Sequence, residues 1–206
     1  MSAIENTITY FFRGGWVMWP LLFCSLAVIY ITIERYLFYK SMDSGKDFAV
    51  NYCNLLREGS VQDAAKLAGE KKGYVASSIL EVYGLQGNYE DYEEFLENSF
   101  EVLSAQLRSK LDYLRVIVTL SPLLGLLGTI MGMIGAFSIF DLQEGAPMAI
   151  TGGIGEALIA TATGLCVAIL ALCSHSYFAH RMDGILSDVN RCFTAYLQSE
   201  RKGVGK

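Results

Sequence analysis

Between Gly145 and Ala179 the only charged side chain is Glu156; its neighbours are apolar or small and neutral. A carboxyl group in hydrocarbon costs roughly 3 kcal/mol or more unless it faces water, a partner or the interior of a bundle. A segment that keeps one is a candidate for holding or passing a proton. Thr129, Thr161 and Thr163 come to similar depth if their two apolar stretches run antiparallel through a short outer hairpin. Threonine hydroxyls hold water without trapping an ion, and equally they bond the i−4 carbonyl or a neighbouring helix. Glu156 and Thr161 are separated by about 140° around a helix, so they cannot share one narrow stripe, whereas Thr163 falls nearly in line with Glu156.

These residues need elements able to place them in a membrane. Hydrophobic residues make up 52% of the 206 positions, and three windows are long enough to cross a bilayer core, which takes ~20 apolar residues. They are Gly14–Ile33, Val116–Phe140 and Met148–Ser174, the last interrupted only by Glu156. The fold class expected is an all-α integral membrane protein with three transmembrane helices and a helical cytoplasmic domain. Its segments are an outer interfacial helix (1–13), spans at 14–40, 116–140 and 148–175, a cytoplasmic domain (41–115), an outer hairpin (141–147), and a cytoplasmic C-terminal helix and tail (176–206). The first window reads as a permanent anchor, because residues 1–13 lack a basic n-region and no small-residue cleavage site follows.

Basic residues set the orientation. Arg35, Lys40, Lys46, Arg108, Lys110, Arg115 and Arg181 fall on one side of the spans and only Arg13 on the other. The N-terminus is therefore expected outside and the C-terminus in the cytoplasm. From Asn88 there is no Gly or Pro until Pro122, so the pattern predicts one helix from Tyr89 to Phe140, continuous from cytoplasm into the second span, with a break near Arg115 as the alternative. The acidic run Glu90, Asp91, Glu93, Glu94, Glu97 and Glu101 lies in its first turns, either as a solvated face favoured by the helix dipole or as a docking surface.

Small residues pattern both later spans. Gly125, Gly128, Gly132 and Gly135 mark one helix; Ala157, Thr161, Gly164, Ala168 and Ala171 mark the other at alternating steps of four and three. Such stripes let membrane helices approach closely and call for many helix neighbours, more easily supplied by an oligomer. Pro122 removes one backbone bond and predicts a mild kink. His175 and His180 read as interfacial anchors, and Glu34-Arg35 as an anchor or a helix-packing ion pair. Five cysteines form no CxxC pair, which argues against a disulfide framework or metal site. No P-loop, nucleophile–base motif or basic patch points to an enzyme or to nucleic acid, and no cofactor or metal is expected.

Three long motifs carry a resemblance. Gly15-Trp16-Val17-Met18-Trp19-Pro20 with Ile33-Glu34-Arg35, then Ser121 to Ile134 (SPLLGLLGTIMGMI), then Gly155 to Leu165 (GEALIATATGL), resemble the MotA/TolQ/ExbB proton-channel family, ExbB-like branch. The resemblance spans nearly the whole chain. It implies a homopentamer in the bacterial inner membrane around a dimer of a single-span ExbD- or TolR-like partner, with protons as coupling ion. Proton flow would drive that partner and a TonB-like protein to energise outer-membrane transport. TolQ-like envelope work and a non-conducting scaffold are the alternatives. By motif, Thr129 and Thr161 would line the pore, with Glu156 and Thr163 near the path. Many relatives have proline where this chain has Leu170, which puts a kink of the lower third helix in doubt.

Overall fold

The computed structural model describes residues 9–85, 87–142 and 147–203, and every regular element among them is a helix. A short helical turn over 9–13 precedes α1 (Met18–Met42), α2 (Lys46–Arg57), α3 (Val61–Glu70), α4 (Tyr74–Gly84), α5 (Tyr89–Arg108), α6 (Leu111–Leu142) and α7 (Pro147–Gly203). Most of the expected outer interfacial helix (1–8), the tip of the outer hairpin (143–146) and the last tail residues (204–206) lie outside the described residues.

The chain divides into two units. The first takes residues up to Ile33 and Asp112–Ser176, and so holds most of α1, nearly all of α6 and the first part of α7. All three parent helices are long and apolar enough to cross a membrane. Large apolar side chains face outward from each: Phe23 and Leu26 on α1, Ile130 and Ile134 on α6, Leu165 and Ile169 on α7. A helix that is apolar on all sides belongs in lipid or among other helices rather than at a water-facing surface. This is an all-α membrane protein with three spans. Proline falls where it is tolerated: Pro20 in the first turn of α1 and Pro147 at the first position of α7. Pro122 lies inside α6, which continues through it.

The second unit takes Glu34–Leu111 and the chain from Tyr177 onward. Its helices start and stop on local signals. Gly59 (φ +82°) ends α2, because only glycine enters that backbone region freely, and Ser60 precedes α3. The Asn88 N–H donates to the Asp91 carboxylate at 2.7 Å, a reciprocal cap that opens α5. Phe48, Tyr52, Ile79, Leu103 and Val189 bury themselves in its core, where the Tyr52 and Tyr83 hydroxyls meet at 3.2 Å.

Two features bear on the long helices. Helix occupies 89–138 except for two turn residues, Ser109 and Lys110, so of the two forms expected the structure takes the one with a break, placed somewhat upstream of Arg115. The third span and the C-terminal segment, by contrast, are a single 57-residue helix. Neither Gly nor Pro occurs at 109–110; the Ser109 hydroxyl donates to the Gln106 carbonyl within the same turn at 3.1 Å.

Candidate functional site

The spans meet along a seam of small residues. The space where a Cβ would stand on Gly128 is 2.5 Å from the Ala160 Cβ, and that on Gly132 is 3.0 Å from the Gly153 carbonyl and 3.3 Å from Ala157. At Gly125 the neighbours are the Thr161 Cα (3.1 Å) and the Ala160 carbonyl (3.2 Å); at Gly164 they are the Ser121 carbonyl (2.5 Å) and the Gly125 Cα (3.1 Å). Gly153 lies against Ala136 in the same way. Numbers that fall on α6 as they rise on α7 show two antiparallel helices with backbones in contact. Side chains of any size would hold them apart, and dispersion over so close an approach is what binds helices in lipid.

Ala157 (3% exposed) and Ala168 (8%) belong to this buried face. Gly135 does not: nothing lies within 4 Å of its Cβ position, because it is turned off the line through Ser121, Gly125, Gly128, Gly132 and Ala136. Gly153 and Ala160 complete the seam without having been singled out in the sequence. Their signal was present, since both keep the three- and four-residue steps to Ala157 and Gly164.

The three threonines all donate to backbone carbonyls. Thr161 Oγ1 crosses to the Gly125 carbonyl of α6 at 3.1 Å. Thr129 Oγ1 donates to Leu126 at 2.6 Å and Thr163 Oγ1 to Ile159 at 2.8 Å, each within its own helix. A hydroxyl has one proton to give and two lone pairs, so each threonine keeps acceptor capacity while half-buried.

Glu156 is also half-buried, and it lies against Gly15 in the turn that leads into α1: its Oε1 stands where a Cβ on Gly15 would be. Gly15 has φ +73°, so two independent reasons, backbone conformation and the space taken by the carboxylate, restrict that position to glycine. Met18 and Ile159 crowd Gly14 just beside it, and Phe11 packs on the Val17–Met18–Leu21 cluster with Leu124 and Ile159. Within one chain Glu156 and Thr161 therefore face different neighbours, the α1 entry and α6 respectively. The hydroxyl protons of the three threonines go to carbonyls and not to the Glu156 carboxyl group.

Below the seam two hydroxyls meet, Thr32 Oγ1 donating to Ser174 Oγ at 3.1 Å. Ser121 Oγ is wholly buried beside the Cys24 thiol. In the second unit, Glu93, Glu97 and Glu101 of the acidic run line a groove of about 660 Å³ whose apolar lining includes Leu96, Phe100 and Phe193. Glu34-Arg35 forms a real ion pair at 2.7 Å, joined by Lys110 at 3.0 Å. No group of three His, Cys, Asp or Glu side chains takes up a metal-binding arrangement among the described residues.

A three-span helical membrane protein with a backbone-contact seam, committed hydroxyls and one intramembrane carboxylate is the frame of an ion-translocating subunit. The chain belongs to the MotA/TolQ/ExbB proton channel family, whose profile matches residues 71–191. Among its relatives, biopolymer transport protein ExbB-like 3 of Synechocystis sp. is 35% identical over 164 residues, covering 77% of this chain and 78% of that one. ExbB-like 1 of the same organism is 33% identical over 181 residues, covering 84% and 70%. The Tol-Pal system protein TolQ of Haemophilus influenzae is 34% identical over 83 residues, 40% of this chain and 36% of its own.

Proposed function

We propose that this chain is the channel subunit of a proton-driven transducer in a bacterial inner membrane, with its N-terminus periplasmic and its C-terminus cytoplasmic. Copies form a ring, a pentamer by family resemblance, around a single-span ExbD-like partner dimer. Proton flow through the ring does work on that partner and energises a TonB-like protein. The relatives named ExbB-like cover about twice as much of this chain as the TolQ match does, which favours uptake over envelope work.

One observation carries the reading: within the apolar part of α7 a carboxyl group lies against the positive-φ glycine turn that leads into α1. A residue kept only for packing would not need a carboxyl group there. Each proton crossing ~100 mV releases about 2.3 kcal/mol, so a few protons per step suffice to carry a packed rotor past its barriers. Thr129 and Thr161 supply a wetted lining once copies assemble, with Thr163 in line with Glu156.

Proteoliposomes holding the chain with its single-span partner test this. Glu156→Gln, and the Thr129→Ala, Thr161→Ala pair, are expected to lower proton flux by at least about tenfold, that is ~1.4 kcal/mol on the limiting barrier, while the complex still assembles. Intact flux in both variants, or loss of assembly in place of flux, returns these residues to a packing role; absence of flux in the unaltered protein leaves a non-conducting scaffold.

A further inference from the structure

The end of α5 carries a set of contacts that the proposed proton path does not use. The last backbone bond of this helix runs from the Ser109 N–H to the Ala105 carbonyl at 3.0 Å. The next two carbonyls take side-chain donors. Arg35 Nη1 donates to the Gln106 carbonyl at 3.1 Å, and the Ser109 hydroxyl shares that oxygen at 3.1 Å. The Tyr39 hydroxyl donates to the Leu107 carbonyl at 3.0 Å. In an unbroken helix these two oxygens would receive the N–H groups of Lys110 and Leu111. Lys110 is the residue where helix lapses and Leu111 the one where it resumes.

The donors are firmly held. Arg35 is only 3% exposed; its Nε and Nη2 grip both oxygens of Glu34 at 2.7 and 2.9 Å, and its guanidinium lies 4.4 Å above the Phe38 ring. Lys110 Nζ reaches the same carboxylate at 3.0 Å. Tyr39 is 2% exposed. Each of these carbonyl oxygens has two lone pairs, and at both of them a buried side-chain donor takes one. A planar fork suits this task because it can hold a carboxylate and a carbonyl together. All of these residues belong to the second unit, whose chain boundaries fall at Glu34 and Leu111.

We propose that Arg35 and Tyr39 are positioning residues that hold the helix open at Ser109–Lys110, at the C-terminal end of α5. The two carbonyls are diverted, the amides of Lys110 and Leu111 are released from the ladder, and Glu34 with Lys110 fixes the arginine in place. The contribution of this break to transduction rests on the function proposed above; its existence does not.

Amide hydrogen exchange on the full chain, assembled in nanodiscs, tests the break directly. Tyr39→Phe removes one hydroxyl and keeps the ring, and Arg35→Lys keeps the charge but lacks the fork. Each should slow exchange at its own target, Leu111 for the first and Lys110 for the second, by about tenfold as the helical bond re-forms. The rest of α5 and α6 should be unchanged. A merely structural role would speed exchange across the whole unit, and that result, or unaltered rates at Lys110 and Leu111, overturns the proposal. In coupled vesicles the same variants should keep proton flux and lose work on the partner. Absence of flux in the unaltered protein would instead count against the proton-channel reading and leave the exchange result standing.

Discussion

At the scale of single residues, the contact between Gly15 and Glu156 governs the site. Neither residue points to the other in the sequence, since one is a glycine in an aromatic motif and the other an isolated acid far along the chain. What the sequence did reveal was that Glu156 must have some compensation in hydrocarbon; where that compensation comes from depends on how α1 enters the membrane. Gly15→Ala should lower the stability of the assembled complex by about 1–2 kcal/mol from the left-handed backbone alone. A further loss should come from displacing the carboxylate. Thermal unfolding of the four members of a Gly15→Ala, Glu156→Ala cycle separates the two parts: the second mutation should relieve the first only partly. Strict additivity would mean the carboxylate does not occupy that space.

At the scale of elements, the α6–α7 seam was largely readable because backbone contact in lipid demands small residues at regular steps, and only a few residue types satisfy it. Gly135 shared the type but not the direction, and a list of glycines does not tell the two apart without the helical phase. A break near Arg115 was one of two forms the sequence allowed, but its place at Ser109–Lys110 was not readable: the side chains that meet the carbonyls there, Arg35 and Tyr39, sit more than sixty positions earlier in the chain. Two substitutions probe the seam. Gly164→Ala places a methyl 2.5 Å from the Ser121 carbonyl, where backbone has to give, and should disperse the assembled complex on size-exclusion chromatography. Gly135→Ala meets open space and should leave the elution unchanged, with a gain of up to about 1 kcal/mol in helix propensity. Failure of Gly135→Ala to assemble would place that residue against a neighbouring copy.

At the scale of the whole molecule, the membrane-spanning class was plain from three apolar windows, because few other structures satisfy every backbone group in hydrocarbon. The helical build of the second unit followed from its caps and glycines, but its buried polar contacts did not. Tyr83 is one of these: burial, with the Glu200 charge acting in the same direction, pushes its phenol above the ordinary 10.0, against the Tyr52 hydrogen bond. The folded chain keeps this proton where an unfolded one releases it, so its share of stability is complete below about pH 10 and declines as pH rises above it. The difference in phenolate absorbance between the unaltered protein and Tyr83→Phe should therefore appear at higher pH in the folded protein than in the unfolded one; ionisation at or below pH 10 with the fold intact would contradict it. The hydroxyl geometry has a consequence for selectivity. With the protons of Thr129, Thr161 and Thr163 engaged by carbonyls, each hydroxyl has only lone pairs left to offer. If these threonines line a passage, as proposed, that passage would offer acceptors to a hydrated proton and no threonine O–H to replace the hydration of chloride.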